Sequence, residues 1–458
     1  MPLSVRAHIR LAALIMAAYF VLPFRSALYS QASSEAQANS KSSQSKSQQA
    51  PAPAADPLAS LLAQAQAALD HNDFAAAIPL LEKIAAAKPT DALPHFELGF
   101  AYSGLKKSPE AIAEYRRAIS LDPNLAPAQL NLGMALLDSD PVAAAESFAS
   151  AVKLLPGQPR PLYLMGQALE RSGKRSEAIE QYRAALVFAP KDDSTLFSLA
   201  RALLADGKSA DAESGFRQLL AVKPDSAPAQ LGLAETLLSE HKPAEAVDVL
   251  RDYLLKAPDD PHAHFERAVA LENLNRSDES LSELDQLDRL DQGAVPNVES
   301  LTLRGSIYMQ QKKWTDAQAS FDKALAASPA DAQLHLWMGH TKMELHDYAG
   351  AEIELRRSLE LEPAGTDTLR ELVSVYYLSG QYEATVSTLD LLGRREAPSA
   401  LDWFFRALSC DKLGRRPEAA AAYQKFLEMD RGERPDQEFQ AQARLKLLLR
   451  ELGRSSGK

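Results

Sequence analysis

Apolar and small residues recur along this chain with the spacing of an α-helix, and the whole pattern returns after about 34 residues. Within each period, two successive stripes of positions three or four residues apart predict two helices. A proline closes each period: Pro89 is followed at steps of 33 or 34 by Pro123, Pro156, Pro190, Pro224 and Pro258, and later come Pro329 and Pro363. A single globular core has no reason to repeat at such a step, so the pattern predicts a stack of helix pairs.

Small and large residues alternate at fixed places of this repeat. With the proline at place 32, eleven units begin at residues 58, 92, 126, 159, 193, 227, 261, 298, 332, 366 and 400. Glycine or alanine at places 8 and 20 lets two antiparallel helices approach closely, while a large residue at place 24 fills the gap toward the neighbouring unit. The large residues are Tyr115, Phe148, Tyr182, Phe216, Phe321 and Tyr423. Glycines near the turn between the helices predict positive φ there: Gly104, Gly173, Gly207, Gly380 and Gly414.

This pattern resembles the tetratricopeptide repeat family, whose units read W-x2-L-G-x2-Y, then A-x3-F, then P. The second unit carries Leu98, Gly99, Tyr102, Ala111, Tyr115, Ala118 and Pro123, and the eighth carries Gly305, Tyr308, Trp314, Ala317, Phe321, Ala324 and Pro329. The resemblance covers residues 58–434. It implies an all-α fold, an α-solenoid in which helix–turn–helix units form a right-handed superhelix with a C-terminal capping helix.

The seventh unit departs from the repeat. Ser280 replaces its small alanine, Gln292 replaces its proline, and an insertion with Gly293 and Pro296 follows. We expect a softened joint here, which divides the array into units 1–7 (residues 58–297) and units 8–11 (residues 298–434).

A last amphipathic stretch follows the array. Within residues 435–453, the apolar positions are Phe439, Ala443, Leu447, Leu448 and Leu452. Because a terminal repeat would otherwise expose its apolar face, we interpret this stretch as the capping helix.

The N-terminal residues have a different composition. Residues 1–32 contain basic residues, an apolar run of 14 residues and small residues at Ser30 and Ala32. This order is typical of a secretory signal, and the alternative is an uncleaved membrane anchor. Residues 33–57 are rich in Ser, Gln, Ala and Pro and are interpreted as a disordered linker. The protein is therefore expected to be exported, periplasmic or associated with the cell envelope, with membrane association through its N-terminus.

Charge and chemistry-bearing residues narrow the function classes. The formal net charge of −11 becomes −14 without residues 1–32, because three arginines and no acids lie there. An acidic chain disfavours nucleic acids and anionic membrane surfaces as main partners. Cys410, the only cysteine, falls on an inner helical stripe and is expected in the core.

Candidate catalytic or cofactor groups do not converge in the pattern. The histidines, among them His262, His264, His335 and His340, lack the spacing of a metal site, so packing or exposure is expected. An acid-rich stretch is interpreted as a solvated face: Asp278, Glu279, Glu283, Asp285, Asp288 and Asp291. No phosphate-binding glycine loop or nucleophile motif is present in the sequence. The sequence predicts a non-enzyme without cofactor or metal.

The family resemblance implies a binding groove on the concave side. It places the side chains of places 2, 5, 9 and 12 of each first helix in that groove. The candidate groove residues are Phe96, Phe100, Leu130, Met134, Tyr163, Gln167, Phe197, Arg201, Leu231, Glu235 and Phe265. The alternative is that place 5 packs between neighbouring first helices instead.

Two classes of function remain open from the sequence. The first is a non-catalytic scaffold that binds an extended or helical protein segment in the groove, with a protein or peptide as partner. The second is a self-associating or tethering module of an envelope assembly for outer-membrane, polysaccharide-secretion or cytochrome biogenesis, its groove filled by its own linker. A regulatory subunit of an enzyme is a third reading. The sequence does not specify the oligomeric state.

Overall fold

Paired helices make up the whole described structure. A computed structural model describes residues 57–290 and 297–455, and every regular element in these two ranges is a helix. The first helices of the eleven units are α1 (Pro57–Asp70), α3 (Ala92–Gly104), α5 (Ala126–Leu136), α7 (Pro159–Arg171), α9 (Asp193–Ala205), α11 (Ala227–Ser239), α13 (Pro261–Asn273), α15 (Val298–Gln310), α17 (Ala332–Glu344), α19 (Thr366–Leu378) and α21 (Ala400–Lys412). The second helices are α2 (Phe74–Ala87), α4 (Ser108–Leu121), α6 (Pro141–Leu154), α8 (Arg175–Phe188), α10 (Ser209–Val222), α12 (Pro243–Leu254), α14 (Ser277–Leu290), α16 (Trp314–Ala327), α18 (Tyr348–Leu361), α20 (Tyr382–Gly393) and α22 (Arg416–Asp430). A last helix, α23, spans Pro435–Ser455.

The helices pack in tandem. Each first helix contacts the second helix of its own unit and that of the preceding unit. First helices of successive units also approach one another, as in α3–α5 and α9–α11, whereas second helices of the described units make no comparable contacts. The first helices therefore form the inner layer of the stack and the second helices the outer layer. This confirms the predicted all-α solenoid.

Local sequence explains where each helix starts and turns. The side chain of Asp91 accepts a hydrogen bond from the backbone N–H of Leu93 (3.0 Å), and Asp192, Asp260 and Asp331 cap their helices in the same way. At place 15 the backbone is left-handed in ten units, with φ between 56° and 81°, and the residues are Asn72, Lys106, Gly173, Gly207, His241, Asn275, Lys312, His346, Gly380 and Gly414.

One of the predicted turn glycines, Gly104, does not have the positive φ that was expected of it. It is the last residue of α3, and the positive φ of that turn falls on Lys106 (58°) instead. A Cβ on Gly104 would lie 2.3 Å from Cε2 of Phe74, so glycine is present there because the neighbouring unit packs against the bare backbone.

The core follows the predicted small and large places. The six rings at place 24 are at most 1% exposed, and Ala111, Ala178, Ala212 and Ala351 at place 20 are fully buried. Cys410 is 1% exposed, as expected for a core residue, and burial raises the pKa of its thiol.

The contact between units 7 and 8 differs from all the others. Neighbouring helices α14 and α15 contact each other far less than any other successive pair. A small buried cluster of Ala268, Leu284 and Ile307 lies at this joint. The insertion that follows α14 falls on residues 291–296, outside the described ranges, as do residues 1–56 with the predicted secretory segment and most of the linker.

The acid-rich stretch of α14 is more than the solvated face expected from sequence. The carboxylate of Glu283 accepts one hydrogen bond from Arg267 and faces Nδ1 of His264. Arg304 of α15 bonds both Asp285 (2.6 Å) and Asp288 (2.8 Å). These acids therefore tie α14 to α13 and α15, which a linear sequence does not reveal because the cations come from other helices.

The capping helix has two faces of different burial. Ala441 and Leu448 are fully buried against the last unit. Phe439 and Leu447, which the sequence assigns to the cap's apolar positions, are 76% and 47% exposed. No helix in the described part of the chain is both long and apolar enough to span a membrane.

Candidate functional site

The candidate groove is the inner layer, and its first three units carry exposed apolar side chains. Leu93 at place 2 is 47% exposed, Met134 at place 9 is 39% exposed and Leu62 at place 5 is 37% exposed. Phe96, Leu130 and Phe100 are half-buried beside them. These side chains come from three successive units of the inner layer, and together they form the apolar section of the candidate groove.

Rings at place 5 are shared between the core and the groove. The ring of Phe96 lies 6.1 Å from the buried ring of Tyr115, and the pairs Tyr163–Tyr182 and Phe197–Phe216 lie 5.9 and 6.2 Å apart. Each place-5 ring therefore packs on the place-24 ring of its own unit and keeps only part of its surface for the groove. The second helix of the same unit is thus one packing partner of these rings.

Place 9 supplies polar groups in the middle of the groove. The side-chain amide of Gln167 donates to the hydroxyl of Tyr163 at 2.8 Å. The guanidinium of Arg201 lies 5.7 Å from the centre of the Phe197 ring, in cation–π contact, and is exposed on its other side. Burial raises the pKa of Tyr163, so its phenol remains a neutral hydrogen-bonding group.

The charges along this surface change sign. Arg160 and Arg201 are exposed on α7 and α9, and Glu235 is exposed on α11. Arg160 also extends toward Met134, with Nη2 4.0 Å from the sulfur. Leu231 and Phe265 are half-buried farther along. Over units 1–6, the candidate groove thus changes from apolar, through basic, to acidic.

Place 2 contributes groove residues that the candidate set lacks. Leu93 and Arg160 both occupy this place, and both are exposed. The signal was available in the sequence, because place 2 is one of the four places that the family pattern directs inward.

Comparison with known proteins agrees with this architecture. Models of the tetratricopeptide repeat match residues 62–126, 96–159, 130–194, 203–264, 236–295 and 308–364. The matches together cover more than half of the chain. The chain belongs to the tetratricopeptide repeat family. Members of this family are protein–protein interaction scaffolds, and this chain has that architecture.

Individual relatives of this tetratricopeptide repeat protein match only parts of it. Cellulose synthase operon protein C of Pseudomonas fluorescens (strain SBW25) is 35% identical over 118 residues, which is 26% of this chain and 9% of that protein. The match thus spans less than a tenth of that relative's length.

Solved structures show the same kind of partial similarity. YrrB, described as a TPR protein with an unusual peptide-binding site, is 21% identical and covers 40% of this chain and 95% of its own, with a TM-score of 0.37. A tetratricopeptide repeat protein from Parabacteroides merdae ATCC 43184 is 17% identical, covers 55% and 98%, and has a TM-score of 0.41. MamA is 22% identical, covers 37% and 93%, and has a TM-score of 0.35.

Histidines of this tetratricopeptide repeat protein form a recurring polar pair. Nδ1 of His95, His264 and His335 lies 2.6–2.8 Å from the carboxylate of the glutamate nineteen residues later, Glu114, Glu283 and Glu354 respectively. In the last two, Nε2 also faces a proline carbonyl of the preceding unit. Each pair joins places 4 and 23 of one unit. The sequence analysis did not predict these pairs, although the repeated spacing of nineteen residues between histidine and glutamate is visible in the sequence.

These clusters have no metal-site geometry. In residues 57–290 and 297–455, no group of three or more histidine, cysteine or acidic side chains is arranged to hold a metal ion. The histidine–glutamate pairs therefore act as structural clamps between the two helices of a unit.

Proposed function

We propose that this protein is a non-catalytic scaffold of the cell envelope whose groove holds an extended or helical segment of a protein partner. The observation that carries the proposal is the exposed apolar section of units 1–3, where Leu93 and Met134 stand uncovered on the inner layer. Aromatic and aliphatic anchors that enter such a surface supply most of the binding energy in protein interfaces.

The charges next to that section indicate which charges the bound segment of the partner carries. Arg160 and Arg201 follow the apolar section, and Glu235 follows them. A segment with a large apolar residue, then an acidic and then a basic residue complements this order. Electrostatic complementarity of this kind sets the direction and register of binding more than its affinity.

The envelope location rests on sequence composition and on one relative. The basic and apolar start of the chain is typical of exported proteins. The local similarity to a cellulose synthase operon protein favours polysaccharide secretion among the envelope assemblies considered.

A binding experiment with matched variants tests the groove. The full chain serves as bait for envelope extracts, in parallel with the double variant Leu93→Asp/Met134→Asp and the control Ile353→Asp. Ile353 lies on the outer helix α18 and is 67% exposed, so it matches the apolar-to-acidic change outside the groove. Synthetic peptides that tile each retained protein then locate the bound segment by fluorescence anisotropy.

We expect one segment whose affinity falls by about tenfold or more in the groove variant, equal to about 1.4 kcal/mol, and is unchanged in the control. Equal affinity for the groove variant would reject the groove as the binding site. Phe96 and Phe197 are poorer positions for this test, because their rings also pack on Tyr115 and Phe216.

Deletion of residues 33–57 tests the alternative hypothesis, in which the protein's own linker fills the groove. If the protein's own linker occupies the groove, its removal raises the affinity for the same peptide. An unchanged affinity excludes the linker as occupant.

A further inference from the structure

The last helix, α23, continues the inner layer of the array. The guanidinium of Arg444 donates to both carboxylate oxygens of Asp411 on α21, at 2.6 and 2.7 Å. On another side of α23, Ala441 and Leu448 are fully buried in the cluster that contains the core of unit 11. The helix therefore lies beside α21, where the first helix of a twelfth unit would follow.

The two buried residues fix the register of α23 in the repeat. They lie seven residues apart, like Ala229 and Thr236 at the fully buried places 3 and 10 of unit 6. In this register Arg444 occupies place 6, and it contacts place 12 of the preceding unit. The rings of Phe405 and Tyr377, at the same two places of units 11 and 10, also meet, with their centres 5.4 Å apart. The last helix thus has the orientation of a first helix.

This register directs part of the exposed apolar surface of α23 into the groove. Ala443 and Leu447 occupy places 5 and 9, and Phe439 lies one turn before Ala443. Leu447 is 47% exposed and Phe439 is 76% exposed. On α21, Leu401 at place 2 is 39% exposed and Leu408 at place 9 is half-buried. These five residues form what we call the C-terminal apolar section.

The two helices place their parts of this section side by side. In units 3 and 4, place 9 of one unit lies next to place 2 of the following unit, where Nη2 of Arg160 is 4.0 Å from the sulfur of Met134. The same relationship puts Leu408 next to Gln440, the neighbour of Phe439 in the sequence. The C-terminal apolar section is therefore one surface, shared by α21 and α23.

Polar residues separate this section from the apolar section of units 1–3. Place 9 of units 8–10 carries Ser306, His340 and Ser374, and place 5 of unit 10 carries Arg370. That arginine is paired with two acids. The groove thus has two apolar sections, and each is available to a separate segment.

Unpaired charges mark the two ends of the C-terminal apolar section. Lys412 at the end of α21 and Arg450 at place 12 of α23 are exposed, and neither forms an ion pair with a described residue. The acids near them, Asp411 and Glu451, are already paired with arginines. Asp436 is exposed and unpaired at the other end of α23, about 21 Å from Arg450 along the helix axis. The section therefore has one positive end, on a chain whose net charge is −11.

We propose that the C-terminal apolar section binds a second protein segment, in which large apolar side chains are followed by acidic ones. The apolar side chains cover Phe439 and Leu447, and the carboxylates lie against Lys412 and Arg450. The protein's own linker does not fit this description, because residues 33–56 contain no apolar side chain larger than alanine or proline. This site is independent of the one proposed in units 1–3.

Two designed peptides test the site by fluorescence anisotropy. Both carry leucine and phenylalanine at helical spacing, followed by glutamates in one peptide and by lysines in the other. The full chain with Leu93→Asp/Met134→Asp is used throughout, so that the apolar section of units 1–3 does not contribute. We expect this chain to bind the glutamate peptide at least about tenfold more tightly than the lysine peptide. Equal affinity for both peptides overturns the proposal.

Matched substitutions on α23 locate the bound peptide. In the same background, Phe439→Ser/Leu447→Ser is expected to weaken binding of the glutamate peptide by about tenfold or more. The control is Leu449→Ser, because Leu449 is 57% exposed on the same helix but lies at place 11, away from the groove. Circular dichroism checks that both variants keep their helicity. Equal losses in the two variants contradict the proposed site.

A charge reversal tests which end of the section receives the acids. Arg450→Glu is expected to weaken the glutamate peptide severalfold and to strengthen the lysine peptide. A parallel loss for both peptides would reject the proposed placement of the carboxylates.

Sedimentation velocity of the wild-type chain examines a second copy as the occupant. We expect no association that depends on the C-terminal apolar section. A concentration-dependent dimer that Phe439→Ser/Leu447→Ser abolishes would show that another copy of this chain covers the section, and would overturn the proposed partner.

Discussion

The backbone of Gly99 lies directly against the ring of Tyr115, so that a Cβ on Gly99 would lie 2.6 Å from Cδ1 of that ring. Gly166 with Tyr182 and Gly305 with Phe321 repeat this relationship at 2.5 and 2.4 Å. In these three units the first helix therefore approaches the second at a distance that only a bare backbone permits, which explains the glycine at place 8.

Gly99→Ala is expected to destabilise the protein. Alanine is better than glycine in a helix by about 1 kcal/mol, but the displacement of the fully packed Tyr115 ring costs about 1–3 kcal/mol. Urea denaturation followed by circular dichroism measures the difference. Gly453→Ala is the matched control, because Gly453 is helical and a Cβ there meets no atom within 4 Å. A control that loses more stability than Gly99→Ala would contradict this account.

Arg304→Met is expected to loosen the joint between units 7 and 8. The side chain of Arg304, only 13% exposed, bonds two carboxylates across a contact that otherwise has little apolar packing. Loss of these charge-assisted bonds costs on the order of 1–2 kcal/mol, reduced by the exposure of both aspartates. Hydrogen exchange should accelerate in α14 and α15.

A second arginine controls for the loss of charge alone. Arg183 bonds Asp211 between exposed side chains of α8 and α10, where apolar packing also holds the units. Arg183→Met should leave exchange in α8 and α10 nearly unchanged. If both variants behave alike, the joint is not specially dependent on Arg304.

His340 is expected to make stability depend on pH near neutrality. A hydrogen bond with Glu371 of the next unit (3.1 Å) raises the pKa of His340 above its usual value. The folded state then holds the proton more tightly, so the stabilisation is complete below about pH 6.5 and is lost as the pH rises through the folded pKa. His340→Gln should flatten this part of the pH profile.

NMR titration of His340 and denaturation at several pH values measure the effect. His241→Asn, which replaces an exposed histidine at a left-handed position that asparagine tolerates, is the control for the loss of a histidine. A folded pKa at or below that of an unfolded histidine would exclude the expected coupling.

Leu448→Ala is expected to release the capping helix, and Leu449→Ala is not. Leu448 is fully buried and Leu449 is 57% exposed, although they are neighbours. Removal of the buried side chain costs about 2–5 kcal/mol, which in a linear array acts on the terminal units first. Hydrogen exchange in α22 and α23 distinguishes the two variants, and equal protection in both would show that α23 does not cap the array.

Features set by neighbours in the sequence could be predicted well. The place-24 rings and place-20 alanines are buried because residues three or four apart share a helix face in every unit. Gly173, Gly207, Gly380 and Gly414 have the expected positive φ. Gly104 differs because the constraint on it comes from Phe74 in the neighbouring unit rather than from its own turn.

The candidate site was only partly predictable. Place 9 of the middle units indeed carries exposed polar groups such as Arg201 and Glu235. The division of the Phe96 surface between groove and core, however, depends on the angle at which the Tyr115 ring reaches it. Similarly, the sequence predicted that the acids of α14 are solvated. In the structure they bond Arg267 of α13 and Arg304 of α15, and the sequence pattern does not show that these arginines lie beside them.

The amino-acid sequence by itself determined the helix pairs, their number and their stacking order, because periodicity, caps and small residues act within one unit or between adjacent units. The tertiary structure alone decided which side chains remain uncovered: Leu93 and Met134 on the inner layer, and Phe439 and Leu447 on the last helix. The physical reason is that exposure depends on the rotation and separation of packed helices, which result from contacts between side chains that are distant in the sequence.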